Sequence, residues 1–524
     1  MYGKYSCANT VLTMRWCKGL LSVFLFLFMY GCNEPATVYP YSDITLNSLD
    51  SLRNKQYAIS PKAVKWYIDS LRLASKDTTF VDLYVNRYYA NGNPYIWIDM
   101  RGASERVDSL VDVLSGIENE AISKKTVFFS QITEALGSIR RLDFKPHRNI
   151  NYTLASLEYF STKAFLRYVA GMHFGFINPG KFMNRLEMEE PEDSLCEKYR
   201  TLYDIPTQKC DRKYLDSMLA CAASSILARE MRNTACRNRN YTFLREQYAR
   251  KDLTLAQRRA LAVNMERFRW QVPSGEGKYV WINVPDFILR AMDEGHEALQ
   301  MKVCVGSRKH KTPLLTSRIK RLELNPVWTV PQSIIRREIA VRHAEDEEYF
   351  ERNNMRIIDK TTEEEVMPGD VSAEMLKSGN YRVVQDKGEA NSLGRMIFRF
   401  DNDFAIYLHD TPNRRAFNYK QRTVSHGCIR LEKPLELAVF LLDEKDPLVI
   451  DKIKIAIDLP PDTEKGKELA NDEDYKRIGL KTFKPEVPLY ITYYTAYPDN
   501  DGNVVYTSDP YGYDERMSRL LGSY

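Results

Sequence analysis

The chain has 524 residues, which at roughly 150 per domain corresponds to three or four domains. Hydrophobic residues make up 44% and charged residues 28%, so disorder over most of the length is excluded. Lys and Arg number 75 against 70 Asp and Glu, a net charge of +5. That is too small for a dedicated nucleic-acid binder, and a mean hydropathy of −0.45 excludes a polytopic membrane protein.

The N-terminus reads as an address. Arg15 and Lys18 precede the apolar run Leu20 to Phe28, which ends at Met29-Tyr30-Gly31-Cys32. A spanning helix needs about 20 apolar residues, so this half-length run fits a secretory signal. Gly31-Cys32 resembles a bacterial lipobox, which makes Cys32 the expected lipidation site. Simple secretion or a retained anchor is the alternative, and Met14 makes a tighter start than Met1. The expectation is a periplasmic lipoprotein touching the membrane only through this N-terminal anchor. Residues 1–32 are then the signal and 33–59 a tether.

From Pro61 to Arg72 the apolar positions suit a helix, whereas Phe80 to Met100, rich in Tyr and ending in Tyr95-Ile96-Trp97-Ile98, suits strand. Val107 to Ile117, Phe128 to Leu142 and Leu154 to Val169 carry helical spacing. Residues 60–190 therefore form a helical scaffold domain, followed by a Cys-containing helical segment at 191–262. Outside the cytosol, Cys196, Cys210, Cys221 and Cys236 can form two disulfides in any of three pairings, or remain buried thiols. No CxxC spacing supports a metal.

The character changes near Phe268. Lys278 to Val284, Leu299 to Val305, Arg318 to Leu324, Arg395 to Phe400, Asp403 to Leu408 and Leu489 to Tyr497 alternate with period two, as strands do. Asp499-Asn500-Asp501-Gly502 signals a hairpin turn. The fold class is α+β multidomain. Residues 263–515 form a mainly β domain, with an inserted α/β segment near 336–385.

The chemistry concentrates at Ser425-His426-Gly427-Cys428-Ile429-Arg430. A thiol flanked by Gly, with His before and Arg after, sits in an electropositive, open backbone that favours a nucleophilic thiolate. Gly427 lets the chain turn so that backbone N–H groups face a developing oxyanion. Upstream, with fifteen residues separating it from Ser425, a β run ends at His409, and Cys with His is the minimal acyl-transfer pair.

His409, fifteen residues, then Ser425-His426-Gly427-Cys428 resembles the signature of L,D-transpeptidases with the YkuD catalytic domain. Asn264 to Trp270, Val280 to Pro285, Val305-Gly306, Lys311-Thr312-Pro313, Asn325 to Pro331, Asn391-Ser392-Leu393-Gly394, Tyr407 to Pro412 and the tail from Val487 to Asp514 resemble stretches of its larger, YcbB-like members. The chain carries Arg430 where many members have Asn, and 191–262 does not resemble their small peptidoglycan-binding module. The resemblance implies that Cys428 attacks the third residue of a peptidoglycan stem tetrapeptide and expels D-Ala. The side-chain amine of a neighbouring stem then resolves the thioester as a 3→3 crosslink. It implies His409 as proton donor and acceptor, and oxyanion contacts from the Gly427 and Cys428 N–H groups. Ser425 and His426 shape the loop, and Arg430 and Tyr407 are candidate substrate contacts. The inserted segment becomes a lid. Carbapenem-type β-lactams become covalent inhibitors, and no metal or organic cofactor is called for. An L,D-carboxypeptidase using the same pair and a non-catalytic wall-binding lipoprotein are the competing readings.

Overall fold

The computed structural model describes residues 57–99, 102–188, 199–224, 226–234, 236, 238–270, 275–346 and 348–522. The expected signal, Cys32, most of the tether and Cys196 lie outside them. No helix among the described residues is long and apolar enough to cross a membrane. The chain divides into two compact units, one made of residues up to Lys76, Tyr89–Val107 and Gln131–Phe160, the other of Asp77–Tyr88, Asp108–Ser130 and Ser161–Tyr524.

In the first unit, the helix Pro61–Ala74 begins at Ser60, whose hydroxyl accepts from Ala63 N–H, with Pro61 at the first helical position. The two-residue strands β1 (Ile98–Asp99) and β2 (Gly102–Ala103) pair antiparallel. The carboxylate of buried Glu158 accepts from the Ile96, Trp97 and Ile98 N–H groups and from Tyr89 Oη. Burial pushes its pKa up to about 7 despite these four donors.

Residues 80–100 are not the expected strand. They form the helix Phe80–Ala90, and only Ile98–Asp99 is extended. The buried positions Asp82, Val85 and Tyr89 fall on one helical face, while Phe80 and Leu83 are exposed. Packing of that face overrides the β preference of a Tyr-rich stretch.

In the second unit, β3 (Tyr203–Asp204) precedes β4 (Tyr279–Asn283), β5 (Ile288–Asp293), β6 (His296–Gly306) and β7 (Leu314–Leu324). The lid strands β8 (Trp328–Thr329), β9 (Met355–Asp359), β10 (Glu365–Val366) and β11 (Tyr381–Gln385) follow. Then come β12 (Met396–Phe400), β13 (Leu408–His409), β14 (Thr423–Ser425), β15 (Ile429–Leu431), β16 (Leu480–Thr492), β17 (Ala496–Pro498) and β18 (Val504–Tyr506). The order β12-β13-β15-β6-β5-β4-β16-β7 closes on itself through a β7–β12 pairing, with β3 added on β7 and β14 on β6. Closure leaves the ring itself without a free sheet edge. Val280 and Ile282, Leu289 and Ala291, and Leu489 and Ile491 are buried at alternate positions, whereas in β7 buried Ile319 and Leu322 are separated by the register shift opposite Arg399 and Phe400. The Asp499–Gly502 turn joins β17 to β18 as expected. Against the ring lies the helix Leu255–Arg269, opened by a Thr254/Gln257 capping box. Its Arg267 reaches Asp514 at 2.7 Å, at the start of the tail helix Tyr513–Leu521.

The stretch 403–408 is also shorter as strand than its pattern suggests. The Asn402 amide oxygen accepts from the Phe404 and Ile406 N–H groups, and its nitrogen donates to the Phe400 and Ile406 carbonyls. Ala405 takes a φ of 52° to complete this side-chain-locked turn, leaving only Leu408–His409 in the ladder. Among the described residues Cys210, Cys221 and Cys236 form no disulfide with one another, and Cys304 is buried against Ala416 and Phe417.

The insertion sits between β7 and β12, strands that pair directly with each other, so it leaves the barrel and returns to it at one point. It starts earlier than residue 336, at β8. It has a sheet of its own, β10-β9-β11-β8, and its own core of Val330, Ile335, Ile339, Phe350, Ile357, Leu376 and Val383. The neck is fastened by buried Asn391, whose amide donates to the carbonyls of Pro326, Gln385 and Asp386.

Candidate active site

Cys428, His409, Tyr407, Arg430, Ser425 and His426 line one cavity of about 320 Å³. The lid supplies the facing wall through Trp328, Pro331, Ser333, Ile334, Arg337 and Glu338. The ladder explains why residues distant in sequence meet. β13 and β15 run parallel with Leu408 opposite Ile429 and His409 opposite Arg430, and Ile429 N–H donates to the Tyr407 carbonyl at 3.1 Å. That register sets Tyr407 beside Cys428, where its backbone N–H and phenol both hydrogen-bond the sulfur.

His409 is fully enclosed. Its Nδ1 lies 2.5 Å from the Asp410 carbonyl oxygen, and the Leu393 carbonyl also faces the ring. A carbonyl only accepts, so Nδ1 carries the proton and Nε2 is left as the basic nitrogen. Asp410 thus orients the imidazole with its backbone. Its carboxylate instead accepts from Arg395 N–H at 3.0 Å, under Gly394, where a Cβ would lie 2.5 Å from the Asp410 side chain.

Charge at the site differs from the sequence-based expectation of a thiolate. Burial pushes the Cys428 thiol up, and it outweighs the pull of the Tyr407 donors, Arg399 and Arg430. Burial, reinforced by the Arg430 charge, holds His409 down at about 4. Both groups are therefore neutral at pH 7. Arg430 is also drawn down by burial, and its buried Nε has no hydrogen-bond partner. This cation lines the cavity with its Nε unpartnered among the described residues, which suits an anionic group on a ligand.

The loop is held by hydroxyls. Ser425 Oγ accepts from Gly427 N–H at 3.1 Å and donates to the Cys428 carbonyl at 2.5 Å. The Gly427 N–H is therefore committed to Ser425, which corrects its expected place among the oxyanion donors. The Cys428 N–H takes no partner among the described residues. Gly427 adopts a φ of 118°, which an L side chain rarely takes. His426 shapes the loop differently: its Nε2 bonds the Glu338 carboxylate on the lid, and its ring packs 4.9 Å from that of His310. Trp328, Arg399, Glu338 and Thr312 were not singled out as site residues from the sequence. The stretches Asn325 to Pro331 and Lys311-Thr312-Pro313 already held two of them. Among the described residues no cluster of His, Cys, Asp or Glu could hold a metal ion.

A change in pH reads this electrostatics directly. If His409 takes the Cys428 proton, acylation needs the imidazole neutral, and its depressed pKa keeps it so through mild acid. The acylation rate should therefore hold level well below the ordinary histidine range and fall only near pH 4. A midpoint near 6.5, the free imidazole value, would contradict the buried, neutral His409.

Residues 277–450 match the YkuD L,D-transpeptidase catalytic domain, and residues 83–247 match a scaffold domain. The scaffold match runs across residue 190, where composition suggested a boundary. A provisionally named L,D-transpeptidase of Haemophilus influenzae is 31% identical over 259 residues, 49% of this chain and 48% of its own length. The chain thus spans about half the length of that curated relative. Among solved structures, L,D-transpeptidase 3 from Mycobacterium tuberculosis is 12% identical, with a TM-score of 0.18 over 42% of this chain and 62% of its own. An L,D-transpeptidase from Mycobacterium smegmatis is 14% identical, with a TM-score of 0.17 over 42% and 59%.

Proposed function

We propose, from the match of residues 277–450 to the YkuD L,D-transpeptidase catalytic domain, that the protein forms 3→3 crosslinks between peptidoglycan stems through a thioester on Cys428. The observation that carries the reading is a half-buried cysteine lining one cavity with a histidine whose Nδ1 is tied to a carbonyl, so that Nε2 is its basic nitrogen.

The steps follow from these groups. His409 Nε2 takes the Cys428 proton as the sulfur bonds to the carbonyl carbon of the donor's third residue. The Cys428 N–H holds the tetrahedral oxyanion. Collapse breaks the amide, His409 returns its proton to the departing D-Ala amine, and a thioester remains. The side-chain amine of a second stem then attacks the thioester and loses a proton to His409. The C–S bond breaks and the thiol is restored. Arg430 faces a carboxylate of the donor stem. The protein does this outside the cytoplasm, in the periplasm, anchored through acylated Cys32.

A trapping experiment tests the reading. Intact-protein mass spectrometry after brief mixing with a stem tetrapeptide should show the tripeptide acyl mass on Cys428. An adduct elsewhere, or release of D-Ala without any adduct in a quenched series, counts against it.

The lid adds an expectation of its own. Water competes with the acceptor amine for the thioester, and a wall over the cavity excludes it. The β7–β12 pairing means that a short Gly/Ser link can replace the inserted subdomain without breaking the ring. The shortened protein should yield more hydrolysed tripeptide relative to crosslinked dimer than the full chain. An unchanged ratio in a folded variant rules out the lid role.

A further inference from the structure

Behind the nucleophile loop lies a buried hydrogen-bonded brace. Thr312 Oγ1 lies 2.8 Å from the Gly427 carbonyl oxygen and 2.9 Å from Gly306 N. The Gly306 N–H donates to this oxygen, so the hydroxyl proton is directed to the Gly427 carbonyl. Thr312 is itself fixed from behind. Its N–H donates to Tyr511 Oη at 3.1 Å, and Tyr511 Oη donates to the Gly306 carbonyl at 2.8 Å. Tyr511 N–H in turn donates to Tyr493 Oη at 2.9 Å. Gly306 permits this closeness: a Cβ there would lie 2.0 Å from the His310 carbonyl oxygen and 2.6 Å from Thr312 N. Thr312, Tyr511 and Tyr493 are all buried.

The carbonyl that Thr312 grips belongs to the Gly427–Cys428 peptide, the unit whose N–H is the oxyanion donor in the reaction above. A trans peptide is planar, with C=O and N–H pointing opposite ways. Fixing the carbonyl therefore fixes the direction of the N–H, and hydrogen bonding at the oxygen polarises the amide and strengthens its donor. Ser425 holds the peptide on the other side of Cys428, so hydroxyls pin the backbone both before and after the sulfur.

We propose that Thr312, held by Tyr511, is a positioning residue that aims the Cys428 N–H at the developing oxyanion. This rests on Cys428 being the nucleophile. The brace also explains why the distant tail, through Tyr511, reaches into the catalytic domain.

Two reagents separate aim from reactivity. Acylation by a carbapenem passes through a tetrahedral oxyanion, whereas alkylation by iodoacetamide does not. T312V removes the hydroxyl at nearly constant volume. It should slow carbapenem acylation, and lower kcat for stem peptides more than it changes KM, by about ten- to a hundred-fold, below the full loss of an oxyanion donor. Iodoacetamide alkylation of Cys428 should be unchanged, and T312S should restore acylation. If T312V acylates at the wild-type rate, or if acylation and alkylation fall together, the brace does not aim the donor. Should T312V fail to fold, Y511F carries the test: acylation must fall while alkylation holds, and wild-type acylation there overturns the proposal. A wild-type protein that is acylated by neither carbapenem nor stem peptide refutes the functional reading itself, and the brace's role with it.

Discussion

Cys428→Ala should abolish both D-Ala release and crosslink formation while leaving the fold in place. In the proposed reaction the sulfur carries the acyl group between two stems, and no other thiol lines the cavity among the described residues. Loss of a nucleophile that forms a covalent intermediate commonly costs on the order of a million-fold, and at least about a thousand-fold is expected here. Removing the sulfur from a half-buried position that lines a cavity leaves the ladder and the Ser425 and Thr312 clamps untouched, because those contacts are made by the backbone. Circular dichroism and the melting transition should match the wild type. Turnover above background in a correctly folded C428A protein would assign the chemistry to another group.

His409→Ala should come second in severity. Without the imidazole, the thiol has no acceptor for its proton, and burial has already raised the energy of the thiolate. Acylation should fall by about a hundred- to ten-thousand-fold, the usual worth of a positioned general base. Structurally the ring is tied to the carbonyls of Asp410 and Leu393, next to the neck of the lid, and packs edge-on against Tyr407 at 5.7 Å between centroids. A modest loss of thermal stability is therefore expected, with the barrel intact. Carbapenem acylation kinetics give the measurement. A near wild-type rate would move the base to another residue, with His426 the first to examine. His426 itself is bonded to Glu338 on the lid, which fits a loop-shaping role better than proton transfer.

Much of this site could be read from residues alone, because its signals are local. Ser425-His426-Gly427-Cys428 is contiguous, and His409 ends a ladder upstream with only fifteen residues between. Gly427 stands where a φ of 118° is required. The barrel strands were equally legible, since one face of each is buried and the alternation records it. What escaped is what depends on distant partners. Thr312 reaches Gly427 across 115 residues of sequence, and Tyr511 reaches Thr312 across 199. The neutral thiol and imidazole follow from desolvation, which adjacent His and Arg letters cannot convey. Asn402 ended an apparent strand through its own side chain, and the face Asp82, Val85 and Tyr89 made a helix of a stretch rich in β-favouring residues. The lid's early start at Trp328 was hidden because β8 completes the lid sheet only by pairing with β11, more than fifty residues later.

The most direct test of the central claim is mass spectrometry of muropeptides incubated with the purified full chain. The account predicts loss of tetrapeptide monomers, release of D-Ala and appearance of dimers whose fragmentation places the link between two third residues, all absent with C428A. Tripeptide monomers alone, in the presence of abundant acceptor stems, would contradict crosslinking and make the protein a hydrolase.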